Sequence, residues 1–437
     1  MLWGAVEMRL ISKKVGVGLT ALSFSIGGFA VFGSGPATGA TSKTSSAGDT
    51  ITVGTLYAST GAYATSSLPE YAGLKFWAKQ VNAQGGMYVA PLKKKEKVKI
   101  VSYNDQSDPA TATTLYDELL TQDKVNVLVA DFGSVLTAPA ITIAKDQKHL
   151  LFDVTGSGTS FFSSGANPYV VLTSLPVSAV WPKPVAALLT KLKTKRVAIL
   201  YCQNDFDQAQ ATAIKGFLAK SGITPVYFQG VPTTQTDYST LVQAIKATNP
   251  DAVLELGYPN NDIAFLNELK DTNLHFKFVL TPFFGQLPSL FAQDVGAKAL
   301  DYTYTYAVPP TLTINTVNMG LGLTDFVKAF APGNASSVNF LDVAGYNAGL
   351  AVQAAFDHAT SMSQLGIRAG ISAVSGKLQT LEGTFKVDKT GEQIGELLPV
   401  SQAFPSGKSF ALKIVYPAIP SQVAMVNATP RYPAPTG

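Results

Sequence analysis

The chain has 437 residues, enough for two or three ordinary domains, and 46% of them are hydrophobic. Only 14% are charged, against about 25% in a typical globular protein, and setting aside the first forty residues leaves 30 basic and 28 acidic side chains, a net charge of +2. That balance excludes a nucleic-acid partner, the single Cys202 excludes an internal disulfide or a CxxC site, and His149, His275 and His358 show no metal-binding spacing.

Residues 1–48 read as separate from the fold. Arg9, Lys13 and Lys14 precede an apolar run over 15–32, and small residues follow at 33–40. This is the order of a secretory signal peptide, 1–40, followed by a Ser/Thr-rich tether, 41–49. An uncleaved anchor helix is the alternative. The sole dense basic run, KKKEK at 93–97, reads as a solvated loop.

The first strand is predicted over 51–57 (ITVGTLY). A helix over 68–84 places Leu74, Trp77, Ala78 and Val81 at helical spacing, and Gly85-Gly86 ends it. A second strand covers 98–104, and Asp108-Pro109 opens the next helix. The stretch over 125–162 organises the rest. Residues 125–130 form a short, buried strand, and Asp131-Phe132-Gly133-Ser134 breaks it. Thr137 and Pro139 suit the start of a helix over 138–145. A fourth strand over 150–154 runs into Thr155-Gly156-Ser157-Gly158-Thr159, with small side chains, hydroxyls and backbone N–H groups. In a parallel sheet both loops open on the carboxyl edge, where ligands bind. Ser134 and Ser157 are then expected to face one another beside a helix N-terminus that favours negative charge.

A further strand covers 169–174, and after Leu175-Pro176 the pattern restarts. Strands are predicted over 196–201 (RVAILY), 224–228, 252–256 (AVLEL) and 276–280, with helices over 180–192, 208–220, 238–248 and 263–270 between or before them. Alternating β and α units imply parallel, doubly wound sheets. A strand over 299–308, a long helix over 341–360 and strands over 383–387 and 410–416 complete the chain. The last two are joined through Asp388-Lys389-Thr390-Gly391.

The segments ITVGTLYASTGAYA, GLKFWAKQVNAQGGM, VSYNDQSDPATA and VLVADFGSVLTAPAITIA, followed by RVAILYCQNDF and PDAVLELGY, together resemble the periplasmic substrate-binding proteins of the branched-chain amino acid type, which serve ABC importers. The order and spacing of the segments carry the resemblance, and it covers about residues 50–416. It implies an α/β fold of two doubly wound lobes joined by three hinge crossings, with a small ligand held between the lobes. The implied lobe segments are 50–174 and 302–383 for the first lobe, 175–301 and 384–437 for the second. It also implies a monomer located in the periplasm or cell envelope, a membrane permease of an ABC importer as partner, and no cofactor.

The same resemblance assigns a ligand-carboxylate contact to Ser134 and further contacts to Gly156 and Ser157. It assigns covering aromatics from the second lobe to Phe206 and Tyr258. Ser66 stands where an aromatic is usual before the first helix, and Tyr63 is its substitute. Amino-acid binders place an acid after the strand here at 276–280, but this chain has Thr281-Pro282-Phe283-Phe284. An unpaired buried ammonium is costly, so the expected ligand is an apolar compound bearing a carboxylate or carbonyl oxygen, with Phe283 adding aromatic surface. Glu255 and Asp205 are the candidates for a displaced acid. An enzyme is disfavoured, because ITVGTLYASTG is not a dinucleotide fingerprint and no G-x-S-x-G elbow occurs. A ligand-sensing receptor component with the same fold remains the alternative to transport.

Overall fold

The computed structural model describes residues 50–435 except 164, 166, 315, 397, 420–422 and 425. The signal peptide and tether expected over 1–49 lie outside the described residues.

Strands β1 (Thr50–Tyr57), β2 (Met87–Val89), β3 (Lys94–Asn104), β4 (Val127–Val129), β5 (Leu151–Asp153) and β6 (Val170–Leu172) form one sheet in the order β2-β3-β1-β4-β5-β6. All its neighbours are parallel except β2, which runs antiparallel to β3 at the edge. The helices of this half are α1 (Ala64–Ala83), α2 (Pro109–Thr121), α3 (Gly133–Asp146) and the short α4 (Ser160–Ser163). Strands β4 (VLV) and β6 (VVL) are apolar and buried on both faces. Val127 and Val129 pack with Trp77 of α1, whereas Leu128 packs with Ala112 and Tyr116 of α2. Burial on both faces is what a parallel sheet wound on both sides requires.

The second sheet repeats the plan. Strands β7 (Val197–Cys202), β8 (Tyr227–Val231), β9 (Ala252–Leu256), β10 (Val279–Leu280) and β11 (Tyr304–Tyr306) are parallel. They are interleaved with α5 (Pro182–Lys191), α6 (Asp205–Ala219), α7 (Ser239–Ala247), α8 (Pro259–Asp271) and α9 (Pro288–Phe291). The remaining strands are β12 (Thr313–Ile314), β13 (Leu378–Thr380), β14 (Gly383–Phe385), β15 (Val400–Ser406), β16 (Ser409–Tyr416) and β17 (Val423–Ala424), with helices α10 (Leu323–Phe330), α11 (Phe340–Asp357) and α12 (Gln364–Val374). The second sheet runs β16-β15-β11-β10-β9-β7-β8, with β15 and β16 antiparallel.

Helix α11 returns to the first sheet and packs against α1 at backbone contact distance. A Cβ on Gly345 would lie 1.8 Å from the Glu70 carbonyl oxygen, so only glycine permits this approach. The chain therefore passes between the sheets after Leu172, between Tyr306 and Phe340, and between Phe385 and Val400.

Several elements differ from the sequence-based expectation. The strand expected over 299–308 shortens to β11, whose Tyr304 pairs with Leu280 and Gln402 in the second sheet. The second passage thus follows Tyr306 instead of preceding it at 302. Strand β15 has no counterpart in that expectation, because VSQAFPS has polar residues and a proline where a strand pattern is sought; packing between β11 and β16 overrides that local signal. Helix α3 begins at Gly133, not at 138. Gly133 takes φ +73°, which turns the chain directly out of β4 into the helix. Thr137 then lies inside the helix, its hydroxyl donating to the Asp131 carbonyl at 3.0 Å.

Candidate functional site

In each sheet the first strand lies between the second major strand and the third, so the strand order reverses at its carboxyl end. Ligands bind at such switch points in open α/β sheets. In the first sheet the loops leaving β1, β4 and β5 lead to Tyr63, Phe132-Gly133-Ser134 and Thr155-Gly156-Ser157. In the second, the loops leaving β7, β9 and β10 lead to Phe206, Tyr258 and Phe283.

The loops of the first sheet are pinned by buried carboxyl groups. Asp131 Oδ1 accepts from Ser67 Oγ at 2.5 Å and from the Phe132 N–H at 2.7 Å, while the Asp131 N–H donates to Tyr116 Oη at 2.8 Å. Asp153 Oδ1 accepts from the Gly156 N–H at 2.7 Å. Burial raises the proton affinity of both acids well above the ordinary carboxylate range, and the nearby Asp105 carboxyl adds to the effect at Asp131.

The two sets of loops meet through aromatic rings. Tyr258 contacts Tyr63 edge-on at 5.3 Å between centroids, Phe132 edge-on at 5.7 Å, Phe206 in a stack at 5.9 Å and Phe283 at 5.7 Å. Trp181 packs edge-on against Phe206 at 4.9 Å. These rings are all buried. The cavity they leave measures about 20 Å³ and is bounded by Phe132, Gly133, Thr155, Ser157, Ser174, Leu175, Trp181, Phe206, Tyr258, Phe283, Gln286 and Phe340. That is room for about one water molecule. A ligand of amino-acid size enters only if the rings part.

Around this space are polar atoms with nothing to bond. Ser134 Oγ, Ser157 Oγ and Gln286 Nε2 are buried without a hydrogen-bond partner. A buried unsatisfied group costs free energy comparable to a lost hydrogen bond, so Ser157 and Gln286 on the cavity wall, with Ser134 next to Gly133 of that wall, are groups that an entering polar atom could satisfy. The N–H of Ser134, in the first turn of α3, donates to Tyr258 Oη at 3.1 Å. Burial raises the Tyr258 phenol further above its ordinary value, and Asp207 nearby adds to this. The phenol is therefore neutral.

The residues expected from the sequence divide clearly. Ser157, Phe206, Tyr258 and Phe283 line the cavity, and Ser134 is next to it on α3. Gly156 is not a free donor: its N–H is taken by Asp153, and a Cβ there would collide with Thr137 at 2.5 Å. Ser66 is buried in the first turn of α1 and does not border the cavity. Tyr63 packs edge-on against Tyr258 and does not border the cavity. Neither candidate for a displaced acid lines the cavity. Asp205 Oδ2 accepts from the Ser160 N–H at 3.1 Å and Ser160 Oγ at 2.6 Å. Glu255 is buried beside Tyr238 and Asp262, and its proton affinity is raised by burial.

Other boundary residues carry weaker sequence signals. Phe132 and Thr155 adjoin the expected residues in the same loops and are legible there. Ser174 and Trp181 lie in or just after the first passage between the sheets, Gln286 lies three residues beyond Phe283 in the loop between β10 and α9, and Phe340 opens α11 after the second passage.

The profile of the periplasmic binding proteins matches residues 50–408. This chain belongs to the periplasmic binding protein family. Among curated relatives, the Leu/Ile/Val/Thr-binding protein of Salmonella typhimurium is 26% identical over 231 residues, which cover 53% of this chain and 61% of that protein. The Leu/Ile/Val-binding protein of Escherichia coli K12 is 26% identical over 229 residues, covering 52% and 60%. The matched stretch thus spans about three-fifths of these relatives. Among solved structures, a leucine-binding protein from Thermotoga maritima superposes with a TM-score of 0.72 at 14% identity, covering 86% of this chain and 99% of that one. An ABC-transporter solute-binding protein from R. palustris in complex with benzoate gives 0.70 at 16% identity, covering 87% and 98%. Both likenesses show the shared fold of two α/β lobes.

Proposed function

We propose that this periplasmic binding protein is an extracytoplasmic solute-binding protein that captures a small apolar compound bearing a carboxylate and delivers it to the membrane permease of an ABC importer. The observation that carries the reading is the group of orphaned polar atoms, Ser134 Oγ, Ser157 Oγ and Gln286 Nε2, set among aromatic rings where the two lobes meet. Ser134 lies at the start of α3, where backbone N–H groups and the helix dipole favour an anion.

The relatives above are named for leucine, isoleucine, valine, threonine or benzoate, which share a carboxylate and, threonine apart, an apolar body. The part they do not share is the ammonium, and the cavity boundary here contains no acidic side chain. The three passages between the sheets serve as the hinge, a common arrangement for lobe closure around a ligand. No catalytic step is part of this reading: neither Ser134 Oγ nor Ser157 Oγ is hydrogen-bonded to a base that would activate it. Among the described residues no helix is long and apolar enough to cross a membrane. Export would follow from the leader expected over 1–40.

A thermal-shift screen of leucine, 4-methylpentanoate, benzoate and benzamide tests the reading. A ligand that binds only the folded protein raises the melting temperature by mass action. The two acids should raise it, and benzamide should do so less. No shift with any carboxylate at millimolar concentration would overturn the assignment.

A further inference from the structure

Two hydroxyl-bearing residues at the cavity are each hydrogen-bonded to a carboxyl group buried behind them. Thr155 Oγ1 lies 2.7 Å from Glu70 Oε2, and Ser174 Oγ lies 2.7 Å from Glu382 Oε2. The second pair is the more enclosed, with Ser174 1% and Glu382 2% exposed. The other oxygen of Glu382 is buried without a partner.

A serine hydroxyl has one proton to give. When Glu382 is a carboxylate, Ser174 donates that proton backward and only its lone pairs can face the cleft. When Glu382 holds a proton, the acid donates to Ser174 Oγ, and the serine proton is free to point at a ligand. The hydrogen-bond character of the cavity wall at Ser174 therefore depends on the group behind it.

We propose that Ser174 reads the ligand directly, and that Glu382 is a positioning residue which sets whether Ser174 offers a donor or an acceptor. The inference rests on the reading of the cleft as a carboxylate site and specifies one of its contacts. A ligand oxygen needs the donor form, alongside Ser134, Ser157 and Gln286. An ammonium would need the acceptor form.

The surroundings of Glu382 favour the donor form. It occupies the turn between β13 and β14. Asn347 of α11 and Ser174 face it with hydrogen-bonding groups. Glu70 of α1 and Glu396, from the segment entering β15, face it with further buried carboxyl groups. None of these groups is cationic. Burial pushes the Glu382 carboxyl up to about 8, so it is largely protonated at neutral pH, and loss of its proton to solvent at alkaline pH reverses Ser174. The pair joins residues 208 positions apart, Ser174 in the first passage between the lobes and Glu382 in the turn just before the third. Its polarity is thus set at the hinge and felt in the cleft.

Calorimetry with benzoate and 4-methylpentanoate on the wild type, Glu382→Gln and Ser174→Ala tests this at about pH 6 and about pH 9.5, on either side of the Glu382 midpoint of about 8. Wild-type affinity is expected to fall about tenfold or more at the higher pH, the effect of exchanging a donor to a charged oxygen for an acceptor. Glu382→Gln retains a donor to Ser174 Oγ and should hold its low-pH affinity at both values. Ser174→Ala should bind more weakly than wild type at the lower pH and show little pH dependence. Equal wild-type affinity at the two pH values, or an equal fall in Glu382→Gln, overturns the role of Glu382 while leaving the carboxylate site standing. Failure of both acids to bind at either pH overturns the site and this inference with it. Melting curves check that each variant folds; Ser174→Ala and the wild-type profile decide the matter if Glu382→Gln does not.

Discussion

Tyr258 Oη accepts a hydrogen bond from the Ser134 backbone N–H at 3.1 Å. Tyr258 belongs to the second lobe and Ser134 to the first turn of α3 in the first. The contact is close: a Cβ on Gly133, next to Ser134, would lie 3.0 Å from the phenol oxygen. A neutral oxygen of one lobe thus fills the place at the α3 N-terminus where a ligand oxygen is proposed to sit, and the ligand must displace it.

Replacement of Tyr258 by phenylalanine removes this internal competitor and keeps the ring in the aromatic cluster. A neutral hydrogen bond has a net worth of about 0.5–1.5 kcal/mol. Affinity for benzoate or 4-methylpentanoate should therefore rise by up to about tenfold, measured by calorimetry. A marked loss would mean that the phenol contacts the ligand.

Ser134→Ala should weaken carboxylate binding by roughly 0.5–3 kcal/mol, the span for hydrogen bonds to neutral and charged acceptors. Because Ser134 Oγ is buried without a partner in the protein, removing it should raise unfolding stability without added ligand, by up to about 1–3 kcal/mol. Denaturant titrations beside binding curves separate the two effects.

Asp205 bridges the lobes at the cleft rim through Ser160. Asp205→Ala should favour a more open arrangement, seen in small-angle scattering as a larger radius of gyration that contracts when ligand is added. The engaged Asp205 carboxylate is poorly placed to serve an ammonium, so leucine should bind no better than 4-methylpentanoate. If leucine binds more tightly, Asp207 becomes the residue to mutate. It is buried near Tyr63 and Tyr258, and its Oδ1 has no partner.

Stability should depend on pH in an unusual direction. Burial raises Glu70, Asp131, Asp153, Asp207, Asp262 and Glu396, and brings Asp342 to about 7 and Glu382 to about 8. In the unfolded chain such groups titrate near 4. Between about pH 4 and 8 the folded state binds more protons than the unfolded one, so stability falls as pH rises. The melting temperature should be highest near about pH 4 and decline toward pH 8, with Glu382→Gln showing a shallower decline. A melting temperature that climbs through this range would contradict the protonated interior.

Much of the architecture is legible in the order of the residues. Apolar runs such as VLV in β4 and AVLEL in β9 are too short for helices and too uniformly apolar for an exposed face. Their alternation with helical periods forces parallel sheets, and parallel sheets place successive loops on one edge. That logic, joined to the family resemblance, brings Ser134, Ser157, Phe206, Tyr258 and Phe283 to the cleft. It fails at β15, where VSQAFPS carries no local strand signal and neighbouring strands supply the stability.

The sequence by itself determined the two-lobed α/β plan and the edge on which the candidate ligand-binding side chains gather, because both follow from local periodicity and the geometry of parallel strands. Only the tertiary structure decided how the hydrogen bonds of those side chains are spent. Gly156 gives its N–H to Asp153, Ser134 gives its N–H to Tyr258 124 residues away, and Ser174 meets Glu382 208 residues away, leaving Ser134 Oγ and Ser157 Oγ without partners. No local pattern encodes such pairings. They depend on which groups are brought within about 3 Å when the lobes pack, and on the exclusion of water that would otherwise satisfy them.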